Sequence, residues 1–218
     1  MKRLNGFTLA EVLITLGVIG VVSALTMPSV INHYQKQATV NKLKKFYTNM
    51  NQVMALAKAD NGDFSTWSYA DSEEFYNNYI KPYIKNVDKV QKNIHVAGDF
   101  SGGIRFVFAD GTQAVLSAKM SNFTGYDNPT LIYYTNAKNL SGIGNDDTKK
   151  PTHDRFYFKI NNKGFIIPPY MGRTREQNLS ACRVYINSKN TTYGTNGYTD
   201  CSTLIYKDGW KISDDYPW

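Results

Sequence analysis

One apolar run, Phe7 to Met27, constrains this chain more than any other feature. It follows a short leader, Met1-Lys2-Arg3-Leu4-Asn5-Gly6, and stops at Pro28. At about 1.5 Å per residue a helix over this run rises roughly 30 Å, the thickness of one hydrocarbon core. Lys2 and Arg3 precede it, so the positive-inside rule puts the N-terminus in the cytoplasm and the remainder across the membrane. One residue breaks the pattern. Glu11 is a carboxylate inside the segment, and an acid at the midplane costs about 2.5 kcal/mol on the insertion scale. A plain anchor gains nothing from that charge, so Glu11 requires a partner.

Two treatments of the run compete. The first is a secretory signal peptide removed whole, with Val22-Ser23-Ala24 as a small-residue cleavage site. The second is a cut between Gly6 and Phe7 that leaves the run in the mature protein. Glu11 favours the second, because a signal peptide has no use for it. So does the helical pattern, which continues past Pro28 in register.

The residues Gly6-Phe7-Thr8-Leu9-Ala10-Glu11-Val12-Leu13-Ile14 resemble the processing site of type IV pilins and of the pseudopilins of type II secretion systems. The resemblance is strong over the first fifty or so residues; beyond them only the general layout is similar. It implies cleavage by a membrane-embedded prepilin peptidase after Gly6, methylation of the new amine on Phe7, and Glu11 as the assembly carboxylate. A cationic amine and a carboxylate attract strongly once water is excluded. Glu11 facing the Phe7 amine of a neighbouring subunit would therefore set axial register in a filament. The alternative partner is Thr8 or Thr15 on the same helix, three residues before and four after. Pro28 removes a backbone donor and predicts a kink, and Gly17 and Gly20 fit either a deformable helix or close helix packing.

Beyond Pro28 the pattern becomes one-sided. Ile31, Tyr34 and Ala38 form one stripe; Leu43, Phe46, Tyr47, Met50, Val53, Met54 and Ala57 form a second at helical spacing. Lys42, Lys44, Lys45, Asn49, Asn51 and Lys58 are expected on the opposite face, and Asn61-Gly62 ends the helix. The domain reading is a leader over 1–6, a membrane and filament-core segment over 7–28, an amphipathic half over 29–61 and a globular α+β domain over 62–218.

In that domain Asp71 and Glu74 predict a capped short helix reaching Pro82. Ile104 to Ala109 and Thr112 to Ser117, joined by Asp110-Gly111, predict a hairpin with a type I′ turn. Arg155 to Ile160 and Phe165 to Ile167 predict a second hairpin, stopped by Pro168-Pro169. Thr174 and Gln177 open a short helix ending near Cys182. Leu204 to Tyr206 and Trp210 to Ile212, across Asp208-Gly209, predict a third hairpin. A long helix followed by antiparallel hairpins is an α+β layout, with the helix laid across a sheet as in pilins.

Cys182 and Cys201 would share an oxidising compartment after export, and a bridge over a loop of about 20 residues contributes on the order of 3 kcal/mol. They make no zinc site with three scattered histidines, and no metal or other cofactor is expected. The acidic pairs Asp146-Asp147 and Asp214-Asp215 lack the ligand spacing of a calcium loop, although some pseudopilins bind calcium near this end.

The net charge is +7, and the leader takes Lys2 and Arg3 with it. The remaining basic residues are dispersed and match no nucleic-acid module, which argues against a DNA-uptake subunit. Nucleophile, phosphate-loop and metal-helix motifs do not occur, so no enzyme is expected. The expected function is a structural subunit of a type IV pilus-like or secretion pseudopilus filament in the bacterial inner membrane. Its expected partners are other pilin-like subunits and the prepilin peptidase, with the C-terminal domain periplasmic or extracellular. The competing reading is a monomeric, membrane-anchored periplasmic binding protein.

Overall fold

A computed structural model describes residues 8–68, 70–96, 100–118, 129–135, 153–187 and 200–218. The chain divides into two units, Met1–Ala38 and Thr39–Trp218. A single helix, α1 (Leu9–Asn61), supplies the described part of the first unit and opens the second. Its helical backbone continues through Pro28.

In the second unit the predicted stripe is the buried face of α1. Leu43, Phe46, Met50, Val53, Met54 and Ala57 are buried, joined by Thr39 and Val40. They cover one face of a six-stranded antiparallel meander: β1 (Val87–Val96), β2 (Phe100–Phe108), β3 (Gln113–Ser117), β4 (Thr130–Tyr134), β5 (Arg155–Ile160) and β6 (Ile166–Ile167). Phe46 stacks on Tyr133 of β4, ring centroids 4.2 Å apart, and meets Phe158 of β5 at 5.5 Å. Phe106, Leu116, Leu131 and Phe156 complete the core against the helix.

α1 also closes one edge of the sheet. The Asn51 amide donates to the Ile166 carbonyl at 3.1 Å and accepts from the Ile166 N–H at 3.0 Å. It satisfies the two backbone groups that a seventh strand would have paired. The outward placement expected for Asn51 is therefore corrected. Lys42 likewise turns inward far enough to donate to the Thr135 carbonyl at 2.9 Å.

Asp71 caps α2 (Ser72–Phe75), accepting from the N–H groups of Glu73 and Glu74, and a π-helical turn continues to Ile80. The first and second predicted hairpins are β2–β3 and β5–β6. The first has a different turn from the one expected. Gly111 has φ +77°, whereas Asp110 is not among the positive-φ residues, so the pair cannot be type I′. The Gly111 N–H instead donates to the Phe108 carbonyl, and the Asp110 carboxylate accepts from Thr112 N–H and Oγ.

The predicted third hairpin is wrong. Residues 200–207 form a helix, and α4 (Asp200–Lys207) ends in a Schellman motif. Trp210 N–H bonds the Ile205 carbonyl, Gly209 N–H bonds the Tyr206 carbonyl, and Gly209 takes φ +74°. Asp-Gly is thus a helix stop here. Leu204 and Ile205 are buried, and Tyr206 and Trp210 pack on Tyr47 of α1 at 5.5 and 5.0 Å. α3 (Arg175–Asn187) carries the expected Thr174–Gln177 capping box and runs past Cys182 to Asn187.

Candidate functional site

The N-terminal stretch of α1 presents apolar side chains without packing on the protein. Leu9 is 78% exposed, Ile14 67% and Leu25 77%. The stretch is long and apolar enough to cross a membrane. A Cβ built on Gly17 or Gly20 meets nothing within 4 Å, so nothing among the described residues demands glycine at either place. Ile31 and Tyr34 of the first predicted stripe are also exposed.

Gly6 and Phe7 lie outside the described residues. Glu11 does not, and its carboxylate is already engaged. Glu11 Oε2 accepts from the Thr8 N–H and from Thr8 Oγ, both at 2.8 Å, and Thr8 Oγ accepts from the Glu11 N–H at 3.3 Å. This reciprocal pair is a capping box at the start of α1. It satisfies two N–H groups that a helix start leaves open, and it gives the carboxylate local donors. Thr15 makes no bond to the carboxylate; its hydroxyl donates to the carbonyls of Glu11 and Val12. Thr8 is thus a site residue in its own right. The signal for it was the Thr-x-x-Glu spacing inside the motif.

Within the second unit Cys182 and Cys201 form a disulfide between α3 and α4, with both residues buried and the Cα atoms 5.1 Å apart. Arg175, at the start of α3, gathers the C-terminal segment. Its guanidinium bonds both carboxylate oxygens of Asp208, both of Asp215, and Ser213 Oγ. Arg175 holds the Asp215 carboxyl well below the usual carboxylate range. Asp215 of the second acidic pair is therefore committed to a protein cation. Asp146-Asp147 lie outside the described residues, and among the described residues no group of His, Cys, Asp or Glu is placed to hold a metal ion.

Residues 29–218 match a family of unknown function, DUF6613. The chain belongs to that family. Residues 1–27 of this DUF6613 protein match the prokaryotic N-terminal methylation motif. No curated protein and no solved structure matches it. The motif, the long apolar helix and the antiparallel sheet give this family member a type IV pilin-like layout. The motif implies prepilin-peptidase processing and pilin assembly, and with the apolar helix it points to anchoring in the inner membrane.

Proposed function

We propose that this protein is a structural subunit of a type IV pilus-like or type II secretion pseudopilus filament. In this reading the prepilin peptidase removes residues 1–6 and methylates Phe7. The helix holds the subunit in the inner membrane, N-terminus cytoplasmic and C-terminal domain periplasmic, until the subunit is drawn into the filament. The observation that supports this most is the conjunction at the N-terminus. A methylation motif leads into a helix whose apolar side chains are exposed along its first unit, with one carboxylate near its start. Exposed apolar surface on that scale calls for lipid or other helices.

Glu11 would then have two successive partners. In the single subunit Thr8 supplies its donors. In the filament the methylated amine of a neighbour's Phe7 would take the carboxylate, an exchange of neutral donors for a cationic one. Gly17, Gly20 and Pro28 would let the helix adjust between bilayer and filament core.

N-terminal mass spectrometry of the protein from its own membrane tests the processing step. The expected species begins at methylated Phe7. A mature chain beginning at Met1 or Leu25 would overturn it. A Gly6 variant with a bulky side chain should accumulate as full-length precursor.

A further inference from the structure

The hydrogen bonds at the start of α1 fix where the helical ladder ends. The Val12 N–H donates to the Thr8 carbonyl at 3.3 Å, an ordinary helical bond four residues back. One residue earlier the pattern changes. The Glu11 N–H would reach the Phe7 carbonyl if the helix ran on, but it donates to Thr8 Oγ at 3.3 Å. The Glu11 carboxylate closes the box by accepting from the Thr8 N–H and hydroxyl. Thr8 is therefore the N-cap, and α1 begins at Leu9.

We infer that Thr8 is a positioning residue for the cut between Gly6 and Phe7: its cap stops α1 short of that bond and keeps the bond out of the helix. The inference rests on the processing reading above. The cut is a hydrolysis. Water adds across the Gly6–Phe7 amide, leaving a carboxylate on Gly6 and an amine on Phe7. The attack falls on the Gly6 carbonyl carbon, so that carbonyl must be open to the peptidase. In a helix extended by one turn it would accept from the Ala10 N–H and lie inside the first turn. Helical backbone is cut only after it opens, and the rate falls with the fraction that is open.

The sequence offers that extension. Asn5 is a second good cap three residues upstream of Thr8, and a helix capped there takes Gly6 and Phe7 as its first two residues. Two residues oppose it. Gly6 is a poor helix former, and the Thr8 cap is worth about fivefold in the equilibrium that sets the helix start.

The test follows cleavage of the full precursor in detergent micelles by the purified prepilin peptidase, with the cut mapped by mass spectrometry. Thr8→Val keeps the shape and loses the acceptor, and Thr8→Ala loses both; each should be cut about fivefold more slowly. Thr8→Ser and Thr8→Asn keep a capping acceptor and should stay within about twofold of wild type. Glu11→Ala and Glu11→Gln keep the backbone N–H that Thr8 Oγ caps, and should remain substrates. Without peptidase, the NMR Cα shifts of Gly6 and Phe7 should move toward helical values in Thr8→Val and Thr8→Ala. A wild-type rate for Thr8→Val would overturn the inference. So would Thr8→Asn slowed as much as Thr8→Val, because the peptidase would then be reading the threonine itself. Slower cutting with no helical shift would overturn it too. A wild-type chain not cut at Gly6–Phe7 overturns the processing reading as well, whereas a wild type cut there and indifferent to Thr8 overturns this inference alone.

Discussion

α1 carries two kinds of apolar surface along one continuous helix. In the second unit its apolar residues are spaced three and four apart and are buried, with Leu43, Met50 and Ala57 fully enclosed. In the first unit they surround the helix and are exposed: Leu13 61%, Ile19 61% and Val30 66%. A one-sided stripe finds its partner within the chain, whereas an all-round apolar helix must find it in lipid or in other helices. The polar exceptions follow the same division. Asn51, on the buried stretch, closes a strand edge of its own domain. Glu11, on the exposed stretch, has among the described residues a local partner in Thr8.

The sharpest break in this contrast is a pair of truncations. Phe46→Ala should destabilise the second unit by about 3–5 kcal/mol, because it removes a ring packed on Tyr133 and Phe158. Leu16→Ala should change the same denaturation midpoint by less than about 0.5 kcal/mol. Comparable losses from the two would show that the exposed stretch also supports the folded domain.

The disulfide extends the comparison to the other end of the chain. Cys201→Ser should cost about 2–5 kcal/mol in the same denaturation experiment, by releasing α4 from α3. A smaller effect is expected at the sheet edge. Asn51→Ala leaves the Ile166 N–H and carbonyl unpaired and should cost about 1–3 kcal/mol, with faster hydrogen exchange at the Ile166 amide. Unchanged exchange there would mean that Asn51 does not protect the edge.

The smallest effect is acid sensitivity. Asp63 accepts from Ser65 and pairs with Lys58, which lowers its carboxyl from 3.8 to about 2. Its folded value is depressed, so its contribution is full above the unfolded value and is lost as pH falls through about 2. Asp63→Asn should flatten the stability curve slightly between roughly pH 4 and 2. Because Asp63 is exposed, the change should be small and salt-sensitive.

Periodic signals were legible in the sequence and tertiary ones were not. The stripe from Leu43 to Ala57, the cap at Asp71 and the box at Thr174–Gln177 are local patterns with single meanings. Asp208-Gly209 has two, a hairpin turn or a Schellman stop, and packing of Leu204 and Ile205 decided between them. Strands β1 and β4 went unpredicted. β1 has its register broken by bulges, and β4 is buried at every position, so neither shows clean alternation. Asn51 read as surface because its partner lies at Ile166, far along the chain. Thr8 and Glu11 were both visible as a pair, yet spacing alone does not fix whether the carboxylate takes Thr8 or Thr15, and the reciprocal cap with Thr8 does.

The central claim is that Glu11 exchanges Thr8 for a neighbour's amine on assembly. The most direct test compares wild type, Glu11→Ala and Glu11→Gln for the fraction of protein in sheared surface filaments, or crosslinked to pilin-like subunits, against an equal membrane pool. Both variants should insert, be cleaved and fold, since the second unit begins at Thr39. Both should fail to assemble, because each leaves a buried amine without its counter-charge. Assembly of both variants at the wild-type level would contradict the claim, and a wild-type protein that never leaves the membrane pool would favour an anchored monomer.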